Sequence, residues 1–344
     1  MKQHITTAIV GLGRAGWHLH LTPMLEQGSY SIEAVADPVA ERVAEAVERT
    51  GCRGFASIDA LLAGTTAELV VVATPSPSHF EDIAKVLESG RHCIAEKPLA
   101  MTGTDAAKLV ALARERGVWL FTNHGHLHRD EFAHLRDILA GGTLGPLFHL
   151  RTFWGGYSRR WDWQTLKGNG GGELNNTCPH PVSLILPLLG SPVRRVYANL
   201  RNIKNAGDAE DFVHVVMECE SGVTADMTVT SAIPWSGPKW TLAGKFGTLH
   251  SDGASSRLKY YDPSKVLDLS VVDGAAPGRQ YLREQLPWVE EERPVSPTIT
   301  PSFHQNVHDV LRAGAEPVVT PESAAEVVRV IELARLAAES GERL

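Results

Sequence analysis

The chain has 344 residues, 43% hydrophobic and 21% charged, a composition that excludes disorder and fibrous repeats and fits about two average domains. Its 33 basic and 40 acidic residues leave a net charge of -7, so no general attraction draws it to nucleic acid or to an anionic membrane. No apolar run approaches the roughly 20 residues that cross a bilayer.

The N-terminal MKQHITTAIVGLG runs straight into a strand-like segment and lacks the pattern of a secretory signal. Four cysteines (Cys52, Cys93, Cys178 and Cys219) are scattered without a CxxC pair, so a reducing cytoplasm is the expected setting. Cys178 reads as a small core side chain rather than a nucleophile.

Strand-like runs over residues 5–10, 32–36, 69–74, 92–95 and 118–122 alternate with helix-length amphipathic runs over 39–50, 78–89 and 104–116. That alternation predicts an α/β domain with a doubly wound parallel sheet. After Thr122 the texture changes. A helix over 130–139 precedes a strand over 147–154, and residues 193–261 are mostly strand-like, which predicts a large, mainly antiparallel sheet. The Pro-, Gly- and Glu-rich stretch 270–301 reads as loop, and helices are expected over 302–313 and 321–339.

Directly after the first strand stands Gly11-Leu12-Gly13-Arg14-Ala15-Gly16. In such a GxGxxG turn the first glycine permits the bend, the second lets the backbone approach a pyrophosphate, and the third allows close packing of helix on strand. The second strand ends at Asp37, 21 residues beyond Gly16, where a carboxylate accepts hydrogen bonds from an adenosine ribose diol. Carboxylates repel a 2′-phosphate, and Pro38 and Val39 offer no cation, so NAD is expected in preference to NADP. Arg42, one helical turn further on, softens that preference, and Arg14 is a candidate phosphate partner.

Two further segments fall at strand ends, where ligands of such sheets collect: Thr74-Pro75-Ser76 with His79, and Glu96-Lys97-Pro98. A proline after Lys97 keeps the lysine extended and out of the following helix. Together with Gly170-Gly171-Gly172 leading to His180, these motifs resemble the Gfo/Idh/MocA oxidoreductase family over nearly the whole chain, as far as Pro321-Glu322-Ser323-Ala324-Ala325.

The resemblance implies an N-terminal Rossmann domain, residues 1–122, and a C-terminal α/β domain, residues 123–344, whose large open sheet serves substrate binding and oligomerisation. It implies a cofactor site of Gly11, Gly13, Arg14, Ala15, Gly16, Asp37, Thr74, Pro75, Ser76, His79, Glu96, Lys97 and Asn123. Lys97 would hold the reacting hydroxyl and His180 would act as general base or acid, roles that suit a cation beside a growing alkoxide and a group that titrates near neutrality. The implied partners are a small carbohydrate or cyclitol and further copies of the chain, as a homodimer or homotetramer.

One departure stands out. Many relatives carry aspartate four residues before the histidine, and here Asn176 stands in its place. On a continuous helix Asn176 and His180 would share a face, and the amide would still bind a substrate hydroxyl, but it supplies no negative charge to an imidazolium. Pro179 and Pro181 flank His180 and predict a turn feeding a helix over 182–189.

In the loop before the glycine run, Arg160, Trp161 and Trp163 have two readings: contacts to the faces and hydroxyls of a sugar, or anchors of a subunit interface. His124, His126 and His128 alternate after the strand 118–122 in a spacing that on one strand face suits zinc. Hydride transfer in the resembled family needs no metal, so none is expected, and the three are read as pocket rim. His304 and His308, at i and i+4, are read as a chance pair among 15 histidines.

The implied activity is hydride transfer between a nicotinamide cofactor and a secondary hydroxyl of a sugar, sugar derivative or cyclitol. Two alternatives share the scaffold: an NAD-assisted glycoside hydrolase or eliminase with transient oxidation, and a non-catalytic dinucleotide-binding sensor. The presence of both Lys97 and His180 weighs against the sensor.

Overall fold

The structure, a computed structural model, describes residues 4–235, 237–274, 281–298 and 300–342. Six strands, β1 (Ile5–Val10), β2 (Tyr30–Ala36), β3 (Arg53–Phe55), β4 (Leu69–Val72), β5 (His92–Ala95) and β6 (Leu120–Thr122), pair in parallel in the order β3-β2-β1-β4-β5-β6. This is the doubly wound order of dinucleotide-binding sheets, and it places a crevice beyond the C-terminal ends of β1 and β4, where the winding reverses. All four residues of β4 are buried, as a central strand covered on both faces requires.

The connecting helices are α1 (Thr22–Gln27), α2 (Ala40–Thr50), α3 (Ile58–Gly64), α4 (His79–Glu88) and α5 (Gly103–Arg116). Capping sets their ends: Thr102 accepts a hydrogen bond from the Asp105 amide at the start of α5, and Gly117, at φ 65°, closes it. Residues Ala15–Leu21 run as a π-helix directly into α1. Pro23 has no N–H to continue an i→i−4 ladder, and the widened turns lie just before it. β3 and α3 lie between predicted elements; three residues are too few to show alternation.

Residue 122 ends β6, and the chain continues through α6 (Asp130–Ala140), β7 (Leu147–Gly155), α7 (Glu173–Asn176) and α8 (Pro179–Leu189). The strands β8 (Val193–Arg201), β9 (Phe212–Cys219), β10 (Thr224–Thr230), β11 (Trp240–Gly244), β12 (Gly247–Ser251), β13 (Ser255–Tyr260) and β14 (Val289–Pro294) complete an eight-stranded sheet. Its order is β14-β13-β12-β11-β7-β10-β9-β8, antiparallel throughout except where β7 meets β10. Alternation is clean in β9: Val213, Val215, Met217 and Cys219 are buried beneath helices, and His214 and Val216 lie half-buried on the uncovered face.

Two expectations are corrected. The stretch 270–301, read as loop, contains β14, a charged edge strand (Glu290, Glu291, Glu292 and Arg293) whose lack of hydrophobic alternation hides it in the sequence; residues 275–280 and 299 of that stretch lie outside the described ones. The flanking prolines do not break the helix at His180: α8 starts at Pro179 and takes both prolines in its first turn, where backbone N–H groups have no intrahelical partner to lose.

The chain finally returns to the first sheet. α9 (Phe303–Ala313) inserts Phe303, Val307 and Val310 among Ile5, Ile9 and Tyr30, and α10 (Pro321–Ser340) packs on α5, α8 and β8. All four cysteines are buried and free, and burial raises the Cys178 thiol well above its ordinary value.

Candidate functional site

The glycine loop shapes the first of two clefts. A Cβ on Gly16 would stand 1.8 Å from the Gly11 carbonyl oxygen, and one on Gly11 would stand 2.5 Å from the Ala73 oxygen, so both positions need a bare backbone. A Cβ on Gly13 would meet nothing within 4 Å: it points into the crevice, on the side from which a pyrophosphate approaches. The Asp37 carboxylate caps this turn, accepting from the Leu12 amide at 2.7 Å and the Val39 amide at 2.8 Å, with Arg42 3.5 Å away.

The crevice of about 790 Å³ runs from Asp37 past Gly13, Arg14, Ala15, Thr74, Pro75 and Ser76 to Glu96, Lys97 and Asn176. Open backbone at Gly13, a fixed carboxylate at Asp37 and a cation at Arg14 fit a dinucleotide.

His79 lines the crevice, but both its ring nitrogens lie on main-chain carbonyls, Pro98 at 2.7 Å and Thr74 at 2.8 Å. It staples the Thr74 loop to the Lys97-Pro98 turn at the wall of the crevice. Asn123 likewise spends its amide on Glu96, donating to Oε1 at 2.7 Å.

Lys97 is the pivot. Its Nζ donates to the main-chain carbonyl of Asn176 at 2.7 Å, so position 176 acts on the lysine through its backbone. Burial lowers the lysine pKa, Glu96 opposes that, Arg14 adds to it, and Glu173 opposes it.

Asn176 ends α7 and His180 stands in α8, so the two do not share one helix as expected. The His180 ring stacks near Trp154, centroids 6.5 Å apart with 13° between planes, and meets His126 at 4.7 Å. Its buried Nδ1 has no hydrogen-bond partner among the described residues. Burial first, then the charges of Lys97, His126 and His124, push its pKa down to about 2, so the ring is neutral and does not titrate near neutrality as expected.

A second cleft, about 680 Å³, opens beside this histidine and is lined by Trp154, Tyr157, Glu173, Thr177 and Lys239 among others. Lys239 donates to Glu131 at 2.6 Å and rides 4.7 Å from the Trp154 ring centre. Glu173 accepts from the Thr177 hydroxyl.

The glycine run makes this placement possible. A Cβ on Gly172, at φ 96°, would stand 2.2 Å from a Glu210 carboxylate oxygen, and Glu210 accepts from the Leu174 amide at the start of α7. Sequence reasoning missed Trp154, Glu173, Thr177 and Lys239. The signal for Glu173 was its place directly after the glycines; the others carry none.

Arg160 and Trp163 line the nucleotide crevice rather than the second cleft, and Arg160 is tied to Asp162 by two bonds of 2.8 Å. Trp161 is 82% exposed and lines neither. Of the three histidines after β6, His126 and His128 lie in a 3-10 turn, Gly125–His128, and His124 directly precedes it; none lies on a strand. At three residues per turn alternate side chains diverge: His126 faces His180, while His128 lies 2.9 Å from the Pro301 carbonyl. Among the described residues no group of three or more His, Cys, Asp or Glu is placed to hold a metal ion.

A doubly wound sheet whose glycine loop, capped carboxylate and lysine-proline turn border one crevice defines an NAD-binding oxidoreductase. The chain belongs to the Gfo/Idh/MocA family: residues 5–124 match its oxidoreductase domain, described as an NAD-binding Rossmann fold, and residues 132–250 match a GFO/IDH/MocA C-terminal domain.

Similar proteins include dTDP-3,4-didehydro-2,6-dideoxy-alpha-D-glucose 3-reductase of Streptomyces violaceoruber, 30% identical over 242 residues that cover 70% of each chain. Scyllo-inositol 2-dehydrogenase (NADP(+)) IolW of Bacillus subtilis is 26% identical over 282 residues, 78% of this chain and 75% of its own. Among solved structures, an NAD-binding protein from Listeria innocua superposes with a TM-score of 0.81 at 26% identity, covering 99% of this chain and 96% of its own.

Proposed function

We propose that this oxidoreductase is a dehydrogenase or reductase that uses NAD in preference to NADP and acts at a secondary hydroxyl carbon of a sugar, sugar derivative or cyclitol. The observation that carries the reading is the half-buried Lys97 ammonium, held at 2.7 Å by the Asn176 carbonyl at the end of the nucleotide crevice. A nicotinamide ring bound there supplies the hydride acceptor or donor.

Lys97 puts positive charge where a carbinol oxygen becomes an alkoxide as hydride leaves its carbon. His180, neutral and with an unpartnered ring nitrogen, is in the form required to accept the hydroxyl proton and to return it in the reverse direction. Asn176 borders the crevice next to Lys97.

The NAD preference is supported by Asp37, whose carboxylate two amides hold at the ribose end. The substrate class is supported by the second cleft, where aromatic surfaces of Trp154 and Tyr157 stand beside the polar groups of Glu173, Thr177 and Lys239. Relatives named for a deoxy-sugar nucleotide and for scyllo-inositol point the same way. We infer likewise a cytoplasmic homodimer or homotetramer, supported by four free buried cysteines and by the uncovered sheet face bearing Tyr197 and Val216.

Initial rates at 340 nm, with NAD and then NADP, across inositols, aldoses, anhydrosugars and nucleotide sugars test the proposal. NADH formation with one group is the expected result. Confirmed dinucleotide binding without turnover on any of them refutes it.

A further inference from the structure

Three buried polar side chains from distant parts of the chain stand in line behind the Lys97 turn. Glu96 is 5% exposed, His20 is fully buried in the π-helical turns after the glycine loop, and His304, 6% exposed, comes from α9. Nε2 of His20 lies 2.9 Å from Glu96 Oε1, and Nδ1 of His20 lies 3.2 Å from Nε2 of His304. The α9 backbone is itself tied down, since the Tyr30 hydroxyl donates to the His304 carbonyl at 2.6 Å.

Packing alone does not ask for these residue types. Burying a carboxylate and two imidazoles costs several kcal/mol unless each is partnered, and aliphatic side chains would fill the space without that cost.

The hydrogens can be placed. Despite burial, hydrogen bonding and charge from His20, then Lys97 and Asn123, hold the Glu96 carboxyl down to about 2, so it is ionised and only accepts. Nε2 of His20 therefore carries hydrogen; its Nδ1 and Nε2 of His304 share one hydrogen bond of 3.2 Å, and burial keeps the His304 ring neutral, with its pKa down to about 3.

We propose that His20 and His304 are positioning residues for the reaction: they hold the Glu96 carboxylate as the counter-charge of Lys97, which makes helix α9 part of the active centre. This rests on the role proposed above for Lys97. The groups facing that lysine are Glu96, Arg14 and Glu173, with the rings of His124, His126 and His180 beside it. Glu96 and Glu173 favour the ammonium; burial and Arg14 oppose it. Once Glu96 is loosened the opposing pair gains, and Lys97 loses its proton at lower pH.

The experiment is the pH dependence of kcat/KM for wild type, His304→Ala, His304→Gln, His20→Gln and Lys97→Met. In His304→Gln the side-chain amide offers a donor and an acceptor where Nε2 stood. His20→Gln keeps one bond to Glu96 and loses the link to His304.

The alkaline limb is expected to move down by about half a pH unit or more in His304→Ala and His20→Gln and to return in His304→Gln. Should His304→Ala fail to fold, His304→Gln against His20→Gln makes the same comparison. An alkaline limb within about 0.2 unit of wild type in both disrupted variants, with Lys97→Met inactive, overturns this inference alone. Wild-type-like turnover in Lys97→Met overturns the proposed role of the lysine and this inference with it.

Discussion

Lys97→Met keeps the length of the side chain and removes its charge and its three N–H donors. Two consequences follow from the structure. The Asn176 carbonyl, which accepts from Nζ at 2.7 Å, loses its partner but borders the crevice, so the loss of stability stays near the roughly 1 kcal/mol of an ordinary hydrogen bond. The larger effect falls on the transition state. Removing one preorganised donor from a developing oxyanion costs about 10²–10³ in kcat, or roughly 3–4 kcal/mol.

The glycine loop and Asp37 do not depend on this lysine. Its loss is therefore expected to leave the dinucleotide Kd within about threefold of wild type, a change of roughly 0.7 kcal/mol. The assay pairs 340 nm turnover on the best substrate of the panel with a fluorescence titration of NADH. A kcat within about threefold of wild type, in a folded variant that binds NADH, refutes the assignment of Lys97 to the chemistry.

The cofactor site separates into two kinds of glycine. Gly13→Ala, whose Cβ meets nothing, is expected to keep the wild-type Tm and to weaken NADH binding by about tenfold or more, whereas Gly16→Ala, with its Cβ 1.8 Å from a carbonyl oxygen, lowers the Tm as well; thermal melts beside NADH titrations check both, and equal Tm losses contradict the geometry. Asp37→Ala is expected to weaken NAD binding and lower the NAD over NADP preference by about tenfold, because the charge that repels a 2′-phosphate is gone and Arg42 is released; an unchanged ratio of kcat/KM values removes the ribose contact. Acid should destabilise the protein early. Burial holds His124 and His126 down to about 4, His304 to about 3 and His180 to about 2, so below about pH 6.5 the unfolded chain takes up protons at these histidines that the folded one does not. Stability then falls as pH drops from about 6.5 towards 4, by up to about 1.4 kcal/mol per pH unit for each histidine, and Glu96, held down to about 2, adds its loss below about 4.5. Urea unfolding at pH 7, 6 and 5 measures this, and a flat free energy over that range contradicts neutral buried rings.

Much of the nucleotide half is written locally. The glycine spacing, the strand ending at Asp37 and the proline after Lys97 act within a few residues, and periodicities of 2 and 3.6 report which face of an element is buried. The same local rules misjudged Pro179 and Pro181, because the first turn of α8 has no intrahelical N–H bond to lose. They misjudged His124, His126 and His128 because a 3-10 turn, not a strand, follows β6. They missed β14, whose charged residues carry no alternation and whose pairing with β13 is decided by the sheet.

The sequence by itself determined that this is a two-part α/β oxidoreductase chain with a dinucleotide loop, and it marked Lys97 and His180 by their neighbours in the chain. Only the tertiary structure decided what surrounds them. Glu96 meets His20 across 76 residues and His20 meets His304 across 284, while Glu173 joins Trp154 and Lys239 in one cleft. Contacts at such separations are made by the packing of α9 on the first sheet and of α7 against the second. The pattern of neighbours along a chain carries no record of them, because hydrophobic burial fixes the faces of helices and strands without specifying which distant polar groups those faces bring together.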